Sequence, residues 1–77
     1  MKDKFKSRYE IIGQNVKRLR TKEKLTQLAL ANKCSVNREQ ISRIENARRD
    51  YMLSTLFEVC DALEVSVFDI MKESKDF

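Results

Sequence analysis

Residues 34–46 read CSVNREQISRIEN, and the pattern of this stretch decides the fold. Apolar side chains stand only at Val36, Ile41 and Ile44, so a helix here has one narrow seam with which to hold the rest of the chain. Asn37, Arg38, Glu39, Gln40, Ser42 and Arg43 fill the gaps with hydrogen-bonding groups. Asn37 is placed to cap the helix and Gln40, three residues on, to reach back to it, which predicts a helix from Asn37 to about Ala47. Its polar face either meets only water or reads something.

Working back toward the N-terminus, Thr26 supplies the N-cap of a short second helix whose Leu30, Ala31 and Cys34 face inward. Between the two helices "KCSV" leaves room for a tight turn only, and a connection this short makes neighbouring helices cross steeply. The pair is a helix-turn-helix. Before it, Tyr9, Ile12, Val16 and Leu19 keep helical spacing, with Lys17, Arg18, Arg20 and Lys22 on or near the polar flank. Gly13, the sole glycine, falls beside Ile12 on the inner face, where a missing side chain lets another helix approach closely. After it, Leu53, Leu56, Phe57, Cys60 and Leu63 predict a fourth helix. Val67, Phe68 and Met71 predict a fifth, started by Ser66 and Asp69. Tyr51 and Met52 fall in the loop before the fourth helix. The expected fold class is all-α, five helices with no strand.

Seventy-seven residues, 42% apolar and 36% charged, fit one globular domain, and a chain this short cannot support two cores. The expected domain is 1–77, with its core at about 9–71 and a basic N-terminal extension over 1–8. The N-terminus is charged from Lys2 onward and carries no apolar segment with a small-residue cleavage site, so a cytoplasmic protein is expected. With no histidine and only Cys34 and Cys60, neither a zinc site nor a CxxC redox pair can be assembled, and the thiols read as buried packing groups. No glycine-rich phosphate loop and no inward carboxylate pair is indicated, so no enzyme, no cofactor and no metal is expected. A membrane-surface helix over residues 2–24 conflicts with the need for Ile12, Val16 and Leu19 in the core.

The net charge of +4 conceals a split. Residues 1–49 hold 14 Lys and Arg against 5 Asp and Glu, whereas residues 50–77 hold 2 against 7. A basic N-terminal two-thirds is the footprint of a polyanion-binding face, and an acidic remainder belongs away from phosphates. If Val36, Ile41 and Ile44 anchor the third helix, then Asn37, Arg38, Glu39, Ser42 and Arg43 project together from its other side. A helix of this kind fits the DNA major groove, where arginine pairs with guanine, glutamate with cytosine and asparagine with adenine.

"LTQLALANKCSVNREQISRIENARR" (25–49) followed by "LSTLFEVCDALEVSVFDIM" (53–71) resembles the lambda and 434 repressor class of regulators, the Cro/CI or XRE family. The resemblance covers about residues 9–71. It implies a five-helix, sequence-specific DNA-binding domain that controls transcription, usually as a homodimer. By position it puts Asn37, Arg38, Glu39, Ser42 and Arg43 at base edges, and Thr26, Gln27, Asn46, Arg48 and Arg49 at phosphates. It makes Arg20 and Glu45 an ion pair joining the first helix to the third. It also implies glycine at the turn and after the third and fourth helices, where this chain has Ser35, Ala47 and Glu64. Pro-Ser before the fourth helix is replaced by Tyr51 and Met52, and two acids opening the second helix by Leu28 and Ala29. Leu28, Tyr51 and Met52 are free to cover apolar surface instead.

One recognition helix spans too few base pairs to be selective, so a homodimer on a palindromic operator is expected, joined through Phe68, Ile70, Met71 and Phe77. Double-stranded DNA is the expected partner, with no membrane and no small-molecule ligand. A restriction-modification controller, a phage or mobile-element repressor and an antitoxin all fit. The rival class is a protein-interaction module that keeps the fold without DNA.

Overall fold

The computed structural model describes residues 2–73. A 3-10 turn over Asp3–Phe5 runs directly into α1, Lys6–Lys22. The basic residues expected as an extension are therefore mostly the first turns of a long helix. Then follow α2 (Gln27–Asn32), α3 (Arg38–Asn46), α4 (Leu53–Leu63) and α5 (Val67–Met71), with no strand among the described residues.

The start signals act through identifiable bonds. Thr26 Oγ1 accepts the Ala29 N–H at 3.0 Å. Asn37 Oδ1 accepts the Gln40 N–H at 2.9 Å, and Gln40 Oε1 accepts the Asn37 N–H at 2.9 Å, closing a reciprocal box at the head of α3. Ser66 and Asp69 build the same device at α5. Met52 heads α4 with no side-chain cap, at the point where the resemblance implies a serine that this chain lacks. Helices α3 and α4 end on left-handed residues, Ala47 at φ 53° and Glu64 at φ 57°. Ser35 stays outside that region, while Lys24 enters it at φ 60° although its residue type does not favour it.

One core is shared by all five helices: Val16, Leu30, Ala31, Ile41, Ile44, Leu56, Val59, Cys60, Leu63 and Ile70 are all buried. Gly13 sets the distance between α1 and α3. A Cβ there would lie 2.6 Å from the Ile44 carbonyl oxygen and 2.7 Å from that of Glu45, so the two backbones touch where the side chain is missing. Asn15, also buried, donates from Nδ2 to the Ile70 carbonyl at 2.6 Å and the Lys72 carbonyl at 2.7 Å, tying the end of α5 to α1. Cys34 and Cys60 are free thiols, each pushed up in pKa by burial.

Two expectations need correction. Ile70, expected at a dimer interface, is fully buried in the core, because α5 turns Val67 and Ile70 inward and Phe68 outward. Leu53 and Phe57, grouped with the inward residues of α4, are 55% and 46% exposed, and Val59 takes the inner position. Phe77 lies outside the described residues.

Candidate nucleic-acid interface

Helix α3 is held by Ile41 and Ile44, both wholly buried, with Val36 packed partly against the core. That grip fixes which way the remaining side chains point. Asn37, Arg38, Glu39 and Arg43 are exposed on the opposite side, and Ser42 is half-buried. Asn46 donates from Nδ2 to Ser42 Oγ at 3.0 Å, so these two residues brace each other along the face. Thr26, at the head of α2, is exposed, as are Asn46, Arg48 and Arg49 at the tail of α3 and its loop. The heads of the two helices are neighbours, since Arg38 Nη1 of α3 lies 3.5 Å from Gln27 Oε1 of α2.

Behind that face lies a chain of charged hydrogen bonds. Arg20 Nε donates to Glu45 Oε2 at 2.7 Å and Arg20 Nη2 to Glu45 Oε1 at 3.0 Å, a two-pronged pair that joins α1 to α3. The Glu45 side chain is only 3% exposed, and Arg20 Nη1 also donates to the Leu25 carbonyl at 2.7 Å. The Glu45 hydrogen bond holds the Arg20 guanidinium above its ordinary pKa against the opposing effect of burial. Bidentate pairing of this kind fixes direction as well as distance. Gln27 Nε2 then donates to Glu45 Oε1 at 3.1 Å, which leaves Gln27 Oε1 turned toward Arg38 Nη1 at 3.5 Å. A buried ion pair therefore orients a half-buried glutamine, and the glutamine stands against the exposed arginine that opens α3.

Sequence reading did not anticipate the Gln27–Glu45 bond, since periodicity says nothing about a pair 18 residues apart. It also missed the tie between the start of α1 and the loop after α3. The rings of Tyr9 and Tyr51 meet edge to face with centroids 5.4 Å apart. The Tyr9 phenol bonds to the Asp50 carboxylate, which together with some burial raises its pKa. Tyr51 is partly buried against the core as supposed, but its hydroxyl is buried without a partner among the described residues, and burial pushes it up to about 12. Leu28 and Met52 remain 55% and 72% exposed. A polar cleft of about 440 Å³ separates Gln40 and Arg43 of α3 from Asp50, Tyr51 and Met52. Among the described residues no group of side chains has the makings of a metal site, and no helix is long and apolar enough to cross a membrane.

A short helix joined by five residues to a polar second helix, which is buried along one seam and flanked by cations, defines the helix-turn-helix class. The helix-turn-helix family HTH_3 matches residues 16–70, and the chain belongs to it: a family of XRE-type DNA-binding transcription regulators, not of enzymes. The chain is similar to the immunity repressor protein of Bacillus phage phi105, at 40% identity over 62 residues that make up 80% of this chain and 43% of the relative. It is similar also to the antitoxin PezA of Streptococcus pneumoniae, at 35% identity over 84% of this chain and 41% of that protein. The chain thus spans about two fifths of the length of these relatives. In structure it resembles the restriction-modification controller protein C.AhdI of Aeromonas hydrophila, with a TM-score of 0.78 over 86% of this chain and 96% of that one. At 23% identity, that likeness speaks for the fold alone.

Proposed function

We propose that the protein regulates transcription as a homodimer on a two-fold symmetric operator, acting as a repressor or as a controller of the kind found in restriction-modification systems. The observation that carries this reading is the arrangement at the head of α3. Arg38 and Glu39 are exposed, and Arg38 faces a glutamine that the Arg20–Glu45 pair holds in place. An arginine whose approach is restricted before binding loses less freedom on pairing with a guanine edge, so sequence preference comes at a smaller entropic cost.

In this reading Asn37, Arg38, Glu39, Ser42 and Arg43 meet base edges, while Thr26, Gln27, Asn46, Arg48 and Arg49 grip phosphates on either side. Exposed Phe68 and Met71 form part of the contact between subunits, with Leu53 and Phe57 adding to the apolar area. Two recognition helices roughly 34 Å apart would then read half-sites one turn apart. Selection of bound duplexes from a random pool tests the proposal. Enrichment of a palindrome with that spacing is expected, and an unsymmetric or unenriched pool overturns it.

A second reading is favoured by that exposed apolar area together with the likeness to an antitoxin: the same face serves a different protein and DNA binding is secondary. Binding of duplex DNA no tighter than expected of any cationic protein, at low salt, would favour it.

A further inference from the structure

The loop from Ala47 to Met52 joins α3 to α4 and carries Arg48 and Arg49, both exposed. Its backbone does little to fix it. The Ala47 N–H bonds to the Arg43 carbonyl, but among the described residues no N–H from Arg48 to Met52 donates to another backbone group. On the α3 side there is no close packing either, since a cleft of about 440 Å³ lies between Asp50, Tyr51 and Met52 and the side chains of Gln40 and Arg43. Backbone with so few hydrogen bonds opens locally at small cost. What orders this loop must come from elsewhere.

It comes from α1. Tyr9, half-buried, meets the Tyr51 ring edge to face, with centroids 5.4 Å apart and planes at 77°. Its phenol donates to the Asp50 carboxylate. Tyr51 in turn packs partly against the core. Two consecutive loop residues are thus tied to one side chain of α1, one through its ring and the other through its hydroxyl. A hydrogen bond to a carboxylate is about twice as strong as one between neutral groups, and an edge-to-face ring pair favours a particular geometry. Asp50 is also the only acid between Ala47 and Met52, directly after Arg49. Left unrestrained, its carboxylate would be free to pair with the arginines in place of a phosphate.

We propose that Tyr9 and Asp50 are positioning residues of the DNA interface: by holding Asp50, the Tyr9 phenol orders the loop on which Arg48 and Arg49 approach phosphates and keeps the carboxylate from competing for them. The proposal rests on the reading that these two arginines grip phosphates, and adds what orders them before DNA arrives. A loop ordered in the free protein loses less freedom on binding. Phosphates carry no sequence information directly, so the gain is in affinity for every duplex and not in preference among them.

Tyr9→Phe removes the phenol and keeps the ring on Tyr51, so it isolates the hydrogen bond; thermal melts monitored by circular dichroism check that the variant is folded. In the free protein, backbone order parameters from NMR relaxation should fall at residues 48–51 and hold in α3, and Asp50→Ala should do the same. Affinity for operator and for unrelated duplexes should drop together by about threefold to tenfold, which corresponds to ordering one or two side chains on binding instead of before it. The plot of log affinity against log salt should shift in parallel, because the same phosphates are neutralised in the complex, whereas loss of an arginine lowers its slope. In an Asp50→Ala background Tyr9→Phe should have no further effect, since its partner is already gone. If Arg48→Ala and Arg49→Ala leave affinity unchanged, the phosphate reading falls and the proposal with it. If those variants weaken binding while Tyr9→Phe is silent, or weakens it as much without Asp50 as with it, the positioning role alone is overturned.

Discussion

Gly13 shows how one missing methyl group sets a helix packing distance. In an isolated helix, alanine is favoured over glycine by about 1 kcal/mol. Here the added Cβ would press on two backbone oxygens, at 2.6 and 2.7 Å, and backbone in the middle of a packed helix pair cannot swing aside as a side-chain tip can. Overpacking should win. Gly13→Ala is expected to lower stability by about 2 kcal/mol, read from the urea midpoint. Glu64 is the opposite case, exposed and left-handed at φ 57°, where a Cβ only adds strain. Glu64→Gly should therefore raise stability by about 1 kcal/mol in the same measurement. Both positions are legible in the sequence, one as the lone glycine on an inner face and the other as a site where related chains carry glycine. The left-handed Lys24 is not, because neither glycine nor asparagine marks it.

At the scale of elements, α5 is the test of what local signals can do. Five residues cannot hold a helix by themselves, since nucleation is unfavourable and too few bonds follow it. Burial of Ile70, the two bonds from Asn15 and the Ser66–Asp69 box supply what is lacking. The box is readable from Ser66 and Asp69 three residues apart. The Asn15 tie is not, because its partners lie 55 and 57 residues away. The inward phase is ambiguous in the sequence for a physical reason: in under two turns, Val67 with Ile70 and Phe68 with Met71 are equally good apolar pairs, and only the neighbours decide which goes inside. Asn15→Ala strips both carbonyls of their buried donor and should cost about 1–3 kcal/mol, with amide exchange in α5 accelerating more than in α3. The box adds a pH dependence. Hydrogen bonds from Ser66 hold the Asp69 carboxyl below its ordinary value of 3.8. A depressed folded pKa means that the stabilisation is complete above the ordinary value and disappears as pH falls through the lower folded one. Asp69→Asn should thus flatten the acid limb of the stability curve, and an unchanged limb would show that the box does not carry it.

For the whole molecule, the charge split is the feature that periodicity could not interpret and the fold makes useful. Arg38, Arg43, Arg48 and Arg49 all belong to α3 or the loop that follows it and are exposed, whereas Glu58, Asp61, Glu64 and Asp69 belong to α4, α5 and their connection. Helical spacing recovers α3 and its exposed face, since one narrow seam admits only one orientation. The Arg20–Glu45 brace is legible only through resemblance, because neither residue departs from what a solvated flank would carry. The two kinds of arginine should separate experimentally. A residue that meets phosphates contributes counterion release, so Arg48→Ala or Arg49→Ala should weaken all duplexes alike and lower the slope of log affinity against log salt by about 0.9 for each phosphate no longer neutralised. In the proposed reading Arg38→Ala removes a base pairing worth about 1–3 kcal/mol, so the operator should lose affinity while unrelated duplexes keep theirs. Gln27→Ala sits between the two, because this side chain borders Arg38 on one side and Glu45 on the other. If Gln27 orients Arg38, its removal should reduce preference among operators as well as affinity. If it serves phosphate alone, it should reduce affinity evenly, and competition binding with operator and scrambled duplexes at two salt concentrations distinguishes the outcomes.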